Sequence, residues 1–96
     1  MYVAILTSKP NTEVLRTETK PRHDAYWEEH LGCVRFGGPI LSDDGKTRMG
    51  QILLLDVADR EAAERIITGD PFVEVGCFEN WSIHRYRLSV EAGRLI

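Results

Sequence analysis

The sequence predicts an α+β domain in which a four-stranded antiparallel sheet carries two helices on one face. Apolar or β-branched stretches of strand length alternate with amphipathic stretches of helix length, and glycine or proline stands at their borders. The elements follow in the order β-α-β-β-α-β, the split βαβ arrangement. The 96 residues suffice for one domain, so 1–96 is expected to be a single domain. Its core is expected over about 1–87, with a C-terminal tail over 88–96.

The first part of the chain predicts a strand, a polar segment and a helix. Met1–Thr7 is rich in β-branched and aromatic residues, which indicates a strand buried on both faces. Thr12–Lys20 is polar and rich in threonine, so a loop or a frayed turn is expected there. Pro21 suits the first position of a helix, and Gly32 suits the position just after its end. We therefore expect the first helix between these two residues.

One face of this helix combines histidines with large aromatic residues. The positions i, i+3, i+4, i+7 and i+8 of the stripe are His23, Tyr26, Trp27, His30 and Leu31. The stripe is expected to face the core, and His23 lies in its first turn, at the rim. His23 and His30 are two turns apart, roughly 10 Å along the helix axis. That separation is too large for one shared ion, so no metal site is predicted.

The middle of the chain predicts a hairpin. Cys33–Phe36 indicates a short strand, and Gly37–Pro39 is expected to end it, because two glycines before a proline allow backbone geometries closed to other residues. The same glycines would let another group approach the main chain closely. A turn signature at Asp44-Gly45 makes Val34–Leu41 and Arg48–Val57 the two paired segments.

The second half predicts a helix, a short turn and a final strand. Asp59 is a good N-cap for a helix over Arg60–Thr68. Pro71 suits the first position of a short turn or helix that runs to Gly76. Phe78–Tyr86 is the last strand, and Arg87–Ile96 is the tail.

Composition excludes several classes of function. The net charge is −3 and the basic residues form no run, so nucleic acid is not an expected partner. The apolar runs are far too short to span a bilayer, and no secretory signal is expected. Cys33 and Cys77 lack metal-binding spacing and are expected to be buried, reduced thiols, which favours a cytoplasmic setting.

The apolar strands predict a second copy of the chain. Two helices can cover only one face of the sheet, yet Val3–Leu6 and Ile52–Leu55 place apolar side chains on both faces. A large exposed apolar face is avoided by soluble monomers. We therefore predict a homodimer in which the two sheets face one another.

Several motifs, in this order and spacing, resemble those of the YciI-like (YCII-related domain) family. They are Y-V-A-I-L from Tyr2, H-D-A-Y-W from His23, G-G-P-I from Gly37, G-D-P-F-V-E-V-G from Gly69 and F-E-N-W-S-I-H-R-Y from Phe78. The resemblance extends from Tyr2 to about Arg87. It implies the dimeric α/β-barrel, ferredoxin-like fold and a small-molecule ligand, with no cofactor.

The resemblance also implies a catalytic pair, His23 and Asp70. A carboxylate on one imidazole nitrogen fixes the tautomer and raises the basicity of the other nitrogen, which makes a general base. We therefore expect a general acid–base enzyme, a lyase or isomerase, acting on a small cyclic or phenolic compound. The residues expected to contact the substrate are Gly38, Pro39, Tyr26, Trp27 and Phe72, and the Gly38 backbone is expected to support an oxyanion.

Other interpretations stay open at this point. Asp70 before Pro71 would serve as an N-cap with no further role, and His23 would then be a rim histidine bonded to backbone. The same pocket would also suit a non-catalytic ligand-binding or accessory module. A monooxygenase of the wider dimeric α/β-barrel group is a third possibility, and it rests on the fold alone.

Overall fold

A computed structural model describes residues 1–96. The elements are β1 (Tyr2–Ser8), α1 (Glu13–Glu28), a 3₁₀ turn (Leu31–Cys33), β2 (Val34–Leu41), β3 (Arg48–Leu55), α2 (Arg60–Gly69), α3 (Pro71–Glu74), β4 (Phe78–Arg85), β5 (Val90–Glu91) and β6 (Arg94–Leu95). Strands β1 to β4 form one antiparallel sheet in the order β2-β3-β1-β4. The predicted α+β, ferredoxin-like architecture is confirmed.

The strand register separates the sheet into two faces, because successive side chains of a strand point to opposite sides. On one face Ala4 lies opposite Leu53, and both pack in the core with Ile67 of α2. The buried core consists of Ala4, Leu6, Leu53, Leu55, Ala63, Ile67, Phe72, Cys77, Phe78 and Ile83. The helices therefore pack on this face, which we call the helix face.

The opposite side of the sheet, which we call the open face, carries exposed apolar residues. Its apolar members include Val3, Ile5, Phe36, Ile40 and Ile52. Ile5 is 39% exposed, Phe36 46% and Ile40 38%. Ile5 lies directly opposite Ile52 in the register, so these side chains form a continuous apolar surface.

The first helix is longer at its N-terminal end than the sequence predicted. It begins after Thr12, so the prediction of a loop over 12–20 was wrong, and Pro21 lies inside the helix. Burial explains the difference: Thr19 is 3% exposed and Leu15 packs against the core. These contacts stabilise the N-terminal part of α1 despite its weak helix propensity. The helix ends at Glu28, earlier than predicted, and a 3₁₀ turn follows.

The glycine-rich segment lies within a strand, although the sequence predicted a strand exit. Gly37–Pro39 belongs to β2, and Pro39 lies opposite Gln51 of β3. Proline donates no N–H to a sheet and is tolerated at an edge, and β2 is an edge strand. The edge position therefore allows the strand to continue through Pro39 to Leu41.

The second half follows the predicted order. The Asp59 carboxylate accepts a hydrogen bond from the backbone N–H of Ala62 at 2.8 Å, which caps α2 as predicted. The tail forms the small β5–β6 hairpin, and Glu91 pairs with Arg35 of β2. Because β2 and β4 are at opposite edges, the chain after β4 crosses the width of the sheet.

We expect Gly50→Ala to destabilise the fold strongly. A methyl group at Gly50 would lie 2.3 Å from the backbone oxygen of Leu6 in the neighbouring strand, so the strands would have to separate. Overpacking of this kind costs roughly 1–3 kcal/mol in free energy of unfolding. The matched control is Gly38→Ala, where a methyl group meets no atom within 4 Å. Equal denaturation midpoints for the two variants would contradict the expectation.

Candidate functional site

Asp70 is a buried carboxylate at the junction of α2 and α3. Its Oδ1 atom accepts a hydrogen bond from the backbone N–H of Phe72 at 2.9 Å, and Pro71 occupies the first position of α3. This is the N-cap expected from an Asp-Pro pair. The residue is only 4% exposed, so its remaining hydrogen-bonding capacity must be satisfied within the protein.

Two side chains of α1 supply those remaining hydrogen bonds. His23 Nδ1 lies 2.8 Å from Asp70 Oδ1, and Trp27 Nε1 donates to Asp70 Oδ2 at 3.1 Å. Three N–H groups therefore surround the carboxylate, which is the environment a buried anion needs. Asp70 is thus both a cap and the partner of a histidine.

The contact with Asp70 determines which nitrogen of His23 is available. A carboxylate only accepts hydrogen bonds, so Nδ1 carries the proton and donates it, and Nε2 of the neutral ring keeps a lone pair. The ring stacks on Phe72 with centroids 3.8 Å apart and planes inclined by 13°. These two contacts hold the imidazole in place. The side chain is 20% exposed, so the ring still reaches the surface of the protein.

An apolar cavity of about 200 Å³ opens beside this pair, on the helix face of the sheet. Its lining residues are His23, Trp27, Leu31, Val34, Gly37, Gln51, Leu53 and Asp70. Four of these eight residues are aliphatic or aromatic, and two of the polar ones, His23 and Asp70, are hydrogen-bonded to one another. Small-molecule sites usually have this composition.

A second cavity, of about 460 Å³, also borders His23 and is polar. Its lining residues are Glu13, Arg16, Thr17, Lys20, His23, Asp24, Pro39, Arg48, Gln51 and Phe72. His23 and Gln51 line both cavities. The histidine is therefore at the boundary between an apolar and a charged compartment.

The structure places Gly38 away from both cavities. Gly37 lies opposite Leu53 in the register, so it belongs to the helix face and lines the apolar cavity. Gly38 lies opposite Ile52 and belongs to the open face. The two-residue period of a strand separates these neighbours, so the oxyanion support expected at Gly38 has no place there.

Tyr26 also differs from its expected position in the pocket wall. Its hydroxyl donates to the backbone oxygen of Ile66 at 2.6 Å, and its ring stacks on His30. The hydroxyl passes so close to Gly69 that a side chain there would collide with it. Burial, with the nearby charge of Asp70, raises the pKa of the Tyr26 phenol, so it stays protonated. Tyr26 fixes α1 against α2 and lines neither cavity.

The other expected contacts are divided between the compartments. Trp27 lines the apolar cavity, and Pro39 and Phe72 line the polar one. Sequence reasoning did not include Gln51 or Arg48, both of which lie in β3. Gln51 is a polar residue next to an apolar run, two positions before Leu53 on the same face, and that alternation was the available signal.

No group of three or more histidine, cysteine, aspartate or glutamate side chains is arranged to hold a metal ion. No helix combines the length and the apolar character needed to cross a bilayer. Both cysteines are free thiols.

Comparison with known proteins identifies related folds. A family model described as the YCII-related domain matches residues 1–87. The chain is similar to 5-chloro-2-hydroxyhydroquinone dehydrochlorinase (TftG) from Burkholderia phenoliruptrix AC1100, solved with 2,5-dihydroxybenzoquinone, at 24% identity and a TM-score of 0.78 over 91% of this chain and 94% of that one. It also aligns with At3g17210 from Arabidopsis thaliana at 14% identity and a TM-score of 0.49, over 95% and 96% of the chains. No curated protein matches it.

Proposed function

The chain belongs to the YCII-related domain family, and from this premise we propose that it is a small general acid–base enzyme of the lyase or isomerase type. The substrate is a small cyclic or phenolic compound. The observation that carries the proposal is the hydrogen bond between His23 and the buried Asp70, at the boundary of two cavities. His23 is the base, and Asp70 orients it and stabilises the imidazolium ion that forms.

The proposed reaction begins with transfer of a proton to His23 Nε2 from a saturated ring carbon beside a carbonyl group, which a phenolic compound provides as its keto tautomer. In a lyase, the electron pair left on carbon forms a double bond to the neighbouring carbon, which releases an anionic leaving group. The imidazolium ion then gives this proton to water. In an isomerase, the same proton returns to a different carbon. Neither reaction changes the oxidation state of the protein or needs a cofactor, because the proton and the electron pair are both accounted for.

Nearby side chains would position the substrate. Trp27, held by its hydrogen bond to Asp70, would contact the ring in the apolar cavity, while Phe72 and Pro39 border the polar side. Gln51 replaces Gly38 as the proposed support for a developing oxyanion. Its Oε1 atom accepts from Arg48 at 3.3 Å, which leaves its amide N–H groups available as donors.

The structural neighbour is consistent with this reaction type. Its name describes the loss of hydrogen and chloride from a hydroxylated ring, which is a lyase reaction on a phenolic compound. At 24% identity the likeness establishes the fold alone. The chemistry proposed here therefore rests on the geometry of His23 and Asp70.

Solvent deuterium exchange tests the proposal without a known substrate. A panel of hydroquinones, halogenated hydroquinones and cyclic ketones would be incubated with the protein in D₂O and followed by proton NMR, with halide release as a second readout. We expect exchange at a ring carbon, or loss of halide, accelerated about 10²–10⁴-fold over buffer. Binding without exchange or elimination would instead assign a non-catalytic ligand-binding module.

The open face supports a homodimer. Ile5, Phe36 and Ile40 expose apolar surface, and the register makes this surface continuous across the strands. A second copy packed sheet to sheet would remove it from water, at roughly 25 cal/mol per Å² of apolar area. The proposed enzyme is therefore a homodimer through the open face.

We expect Ile5→Asp to convert the dimer to a monomer. The substitution introduces a charge at the centre of the proposed contact, where it would lose its hydration on assembly. Light scattering after size-exclusion chromatography measures the mass. Val14→Asp is the control, because Val14 is an exposed apolar residue of α1. A wild-type protein that runs as a monomer at micromolar concentration would rule out this assembly.

Two further assignments complete the proposal. Residues 1–96 form one domain with the core over about 1–87, and the β5–β6 hairpin is an addition beyond the family match. The free thiols of Cys33 and Cys77 support a reducing, cytoplasmic environment.

A further inference from the structure

The polar cavity contains two guanidinium groups that have no carboxylate partner. Ion pairs within 4 Å join Lys20 to Asp24, His23 to Asp70 and Arg35 to Glu91, and neither Arg16 nor Arg48 takes part in one. Glu13 also lines the cavity, but it lies beyond ion-pair distance of both arginines. The cavity wall therefore carries a net positive charge even with Glu13 included.

Each of these arginines donates one side-chain hydrogen bond, and in both cases the acceptor is an uncharged group. Arg16 Nη1 donates to the hydroxyl of Thr12 at 2.6 Å, and Arg48 Nη1 donates to Gln51 Oε1 at 3.3 Å. A guanidinium has five N–H donors, so most of the donors on both groups remain free. The two side chains are thus oriented by the protein with unused donors in the cavity.

Arg16 and Arg48 line the same cavity, so their like charges repel one another. Burial lowers the pKa of the Arg48 guanidinium, and the like charge of Arg16 lowers it further. A bound anion would relieve this repulsion, because it faces two cations at once. The arrangement costs free energy in the empty protein, and an anionic ligand offsets that cost.

We propose that Arg16 and Arg48 form a subsite for a carboxylate on the substrate, while the substrate ring lies in the apolar cavity. The subsite rests on the proposed function for its link to catalysis, since His23 and Gln51 line both cavities and would lie between ring and carboxylate. The substrate class narrows to small cyclic carboxylic acids. Planar guanidinium groups suit a carboxylate because both of its oxygens can be bound in parallel.

The dimensions agree with this division. An apolar cavity of roughly 150 Å³ in another protein binds benzene, and the apolar cavity here measures about 200 Å³. It therefore has room for one six-membered ring and few substituents. A charged substituent would be unfavourable among Trp27, Leu31 and Leu53, and the polar side of His23 offers it a place.

Titration with benzoate and benzamide, followed by amide chemical shifts in NMR, tests the subsite. The two probes share a ring and differ in charge. We expect benzoate to bind the wild-type protein at least about tenfold more tightly than benzamide, and Arg48→Gln or Arg16→Gln to weaken benzoate at least about tenfold. Arg94→Gln, in the exposed β5–β6 hairpin, is expected to change nothing. The spectra also show whether each variant is folded.

Several results would overturn the subsite. They are equal affinity for the two probes, no benzoate binding, or the same affinity in Arg48→Gln and Arg94→Gln. The outcome is separable from that of the proposed reaction, because His23→Asn keeps both arginines. If His23→Asn still binds benzoate and the wild-type protein exchanges deuterium into no compound of the panel, the subsite is supported and the proposed enzymatic function is rejected. The panel can be extended with carboxylated forms of its compounds. If the wild-type protein exchanges the neutral and the carboxylated forms equally fast, the subsite alone is rejected.

Discussion

Replacing His23 with asparagine is expected to reduce the exchange or elimination rate by about 10²–10⁴-fold. Asparagine places an amide nitrogen near the position of Nδ1, so the hydrogen bond to Asp70 can survive while the Nε2 base is lost. The rate falls because the other titratable group in the lining of the apolar cavity, Asp70, is buried and held by hydrogen bonds from Phe72 and Trp27. The measurement is deuterium incorporation by proton NMR with the best compound of the panel.

The control for this variant is His30→Asn. His30 was predicted to share the stripe of His23, but it lies just after the end of α1. Its Nδ1 atom donates to the backbone oxygen of Tyr26 at 2.7 Å, and it lines neither cavity. We expect it to retain the wild-type rate. If His23→Asn were as active as His30→Asn while both remained folded, the assignment of the base would have to be abandoned.

Asp70→Asn is expected to lower the rate by about 10–100-fold, the loss typical of residues that orient metal-binding histidines. The change removes the negative charge that stabilises the imidazolium ion, but asparagine still caps a helix well. Folding should therefore be affected less than activity. The same assay gives the rate, and thermal unfolding gives the stability.

A second aspartate in the chain isolates the role of charge. Asp59 caps α2 by accepting a hydrogen bond from Ala62, just as Asp70 caps α3 by accepting one from Phe72. Unlike Asp70, Asp59 contacts no histidine. Asp59→Asn should thus leave the rate unchanged. Comparable losses in the two variants would mean that Asp70 acts only through the stability of its helix.

The order of elements could be predicted because local signals and burial agree over most of the chain. The apolar strands, the cap at Asp59 and the Asp70-Pro71 helix start each have a physical cause that needs no distant residue. The pairing of His23 with Asp70 was different in origin. It came from resemblance to a family, since nothing in the spacing of the two residues brings them together.

The start of α1 could not be predicted from local propensity. Threonine-rich sequence and Pro21 both disfavour a helix there, and the stabilising contacts of Leu15 and Thr19 come from packing against elements far along the chain. The cationic wall of the polar cavity was missed for the same reason. Arg16 belongs to the part of α1 that was predicted to be a loop.

Strand register accounts for the remaining errors at the site. The sequence indicated a special role for the two glycines of β2, but only pairing with β3 determines which of them faces the helices. The same register brings Gln51 to the helix face, and the irregular pairing between Ile40 and Leu41 lets Arg48, three positions away, line the polar cavity as well. A shift of one residue would have exchanged every one of these assignments.

Pro21 interrupts the backbone hydrogen-bond ladder of α1. Proline donates no N–H, so the carbonyl of Thr17 lacks its partner one turn ahead, and the proline ring presses against that carbonyl. Arg16 lies before this joint, whereas His23 and Trp27, tied to Asp70, lie after it. One hydrogen bond of the helix is therefore missing between Arg16 and the imidazole. A bend of α1 at Pro21 would move Arg16 while His23 and Trp27 keep their hydrogen bonds to Asp70.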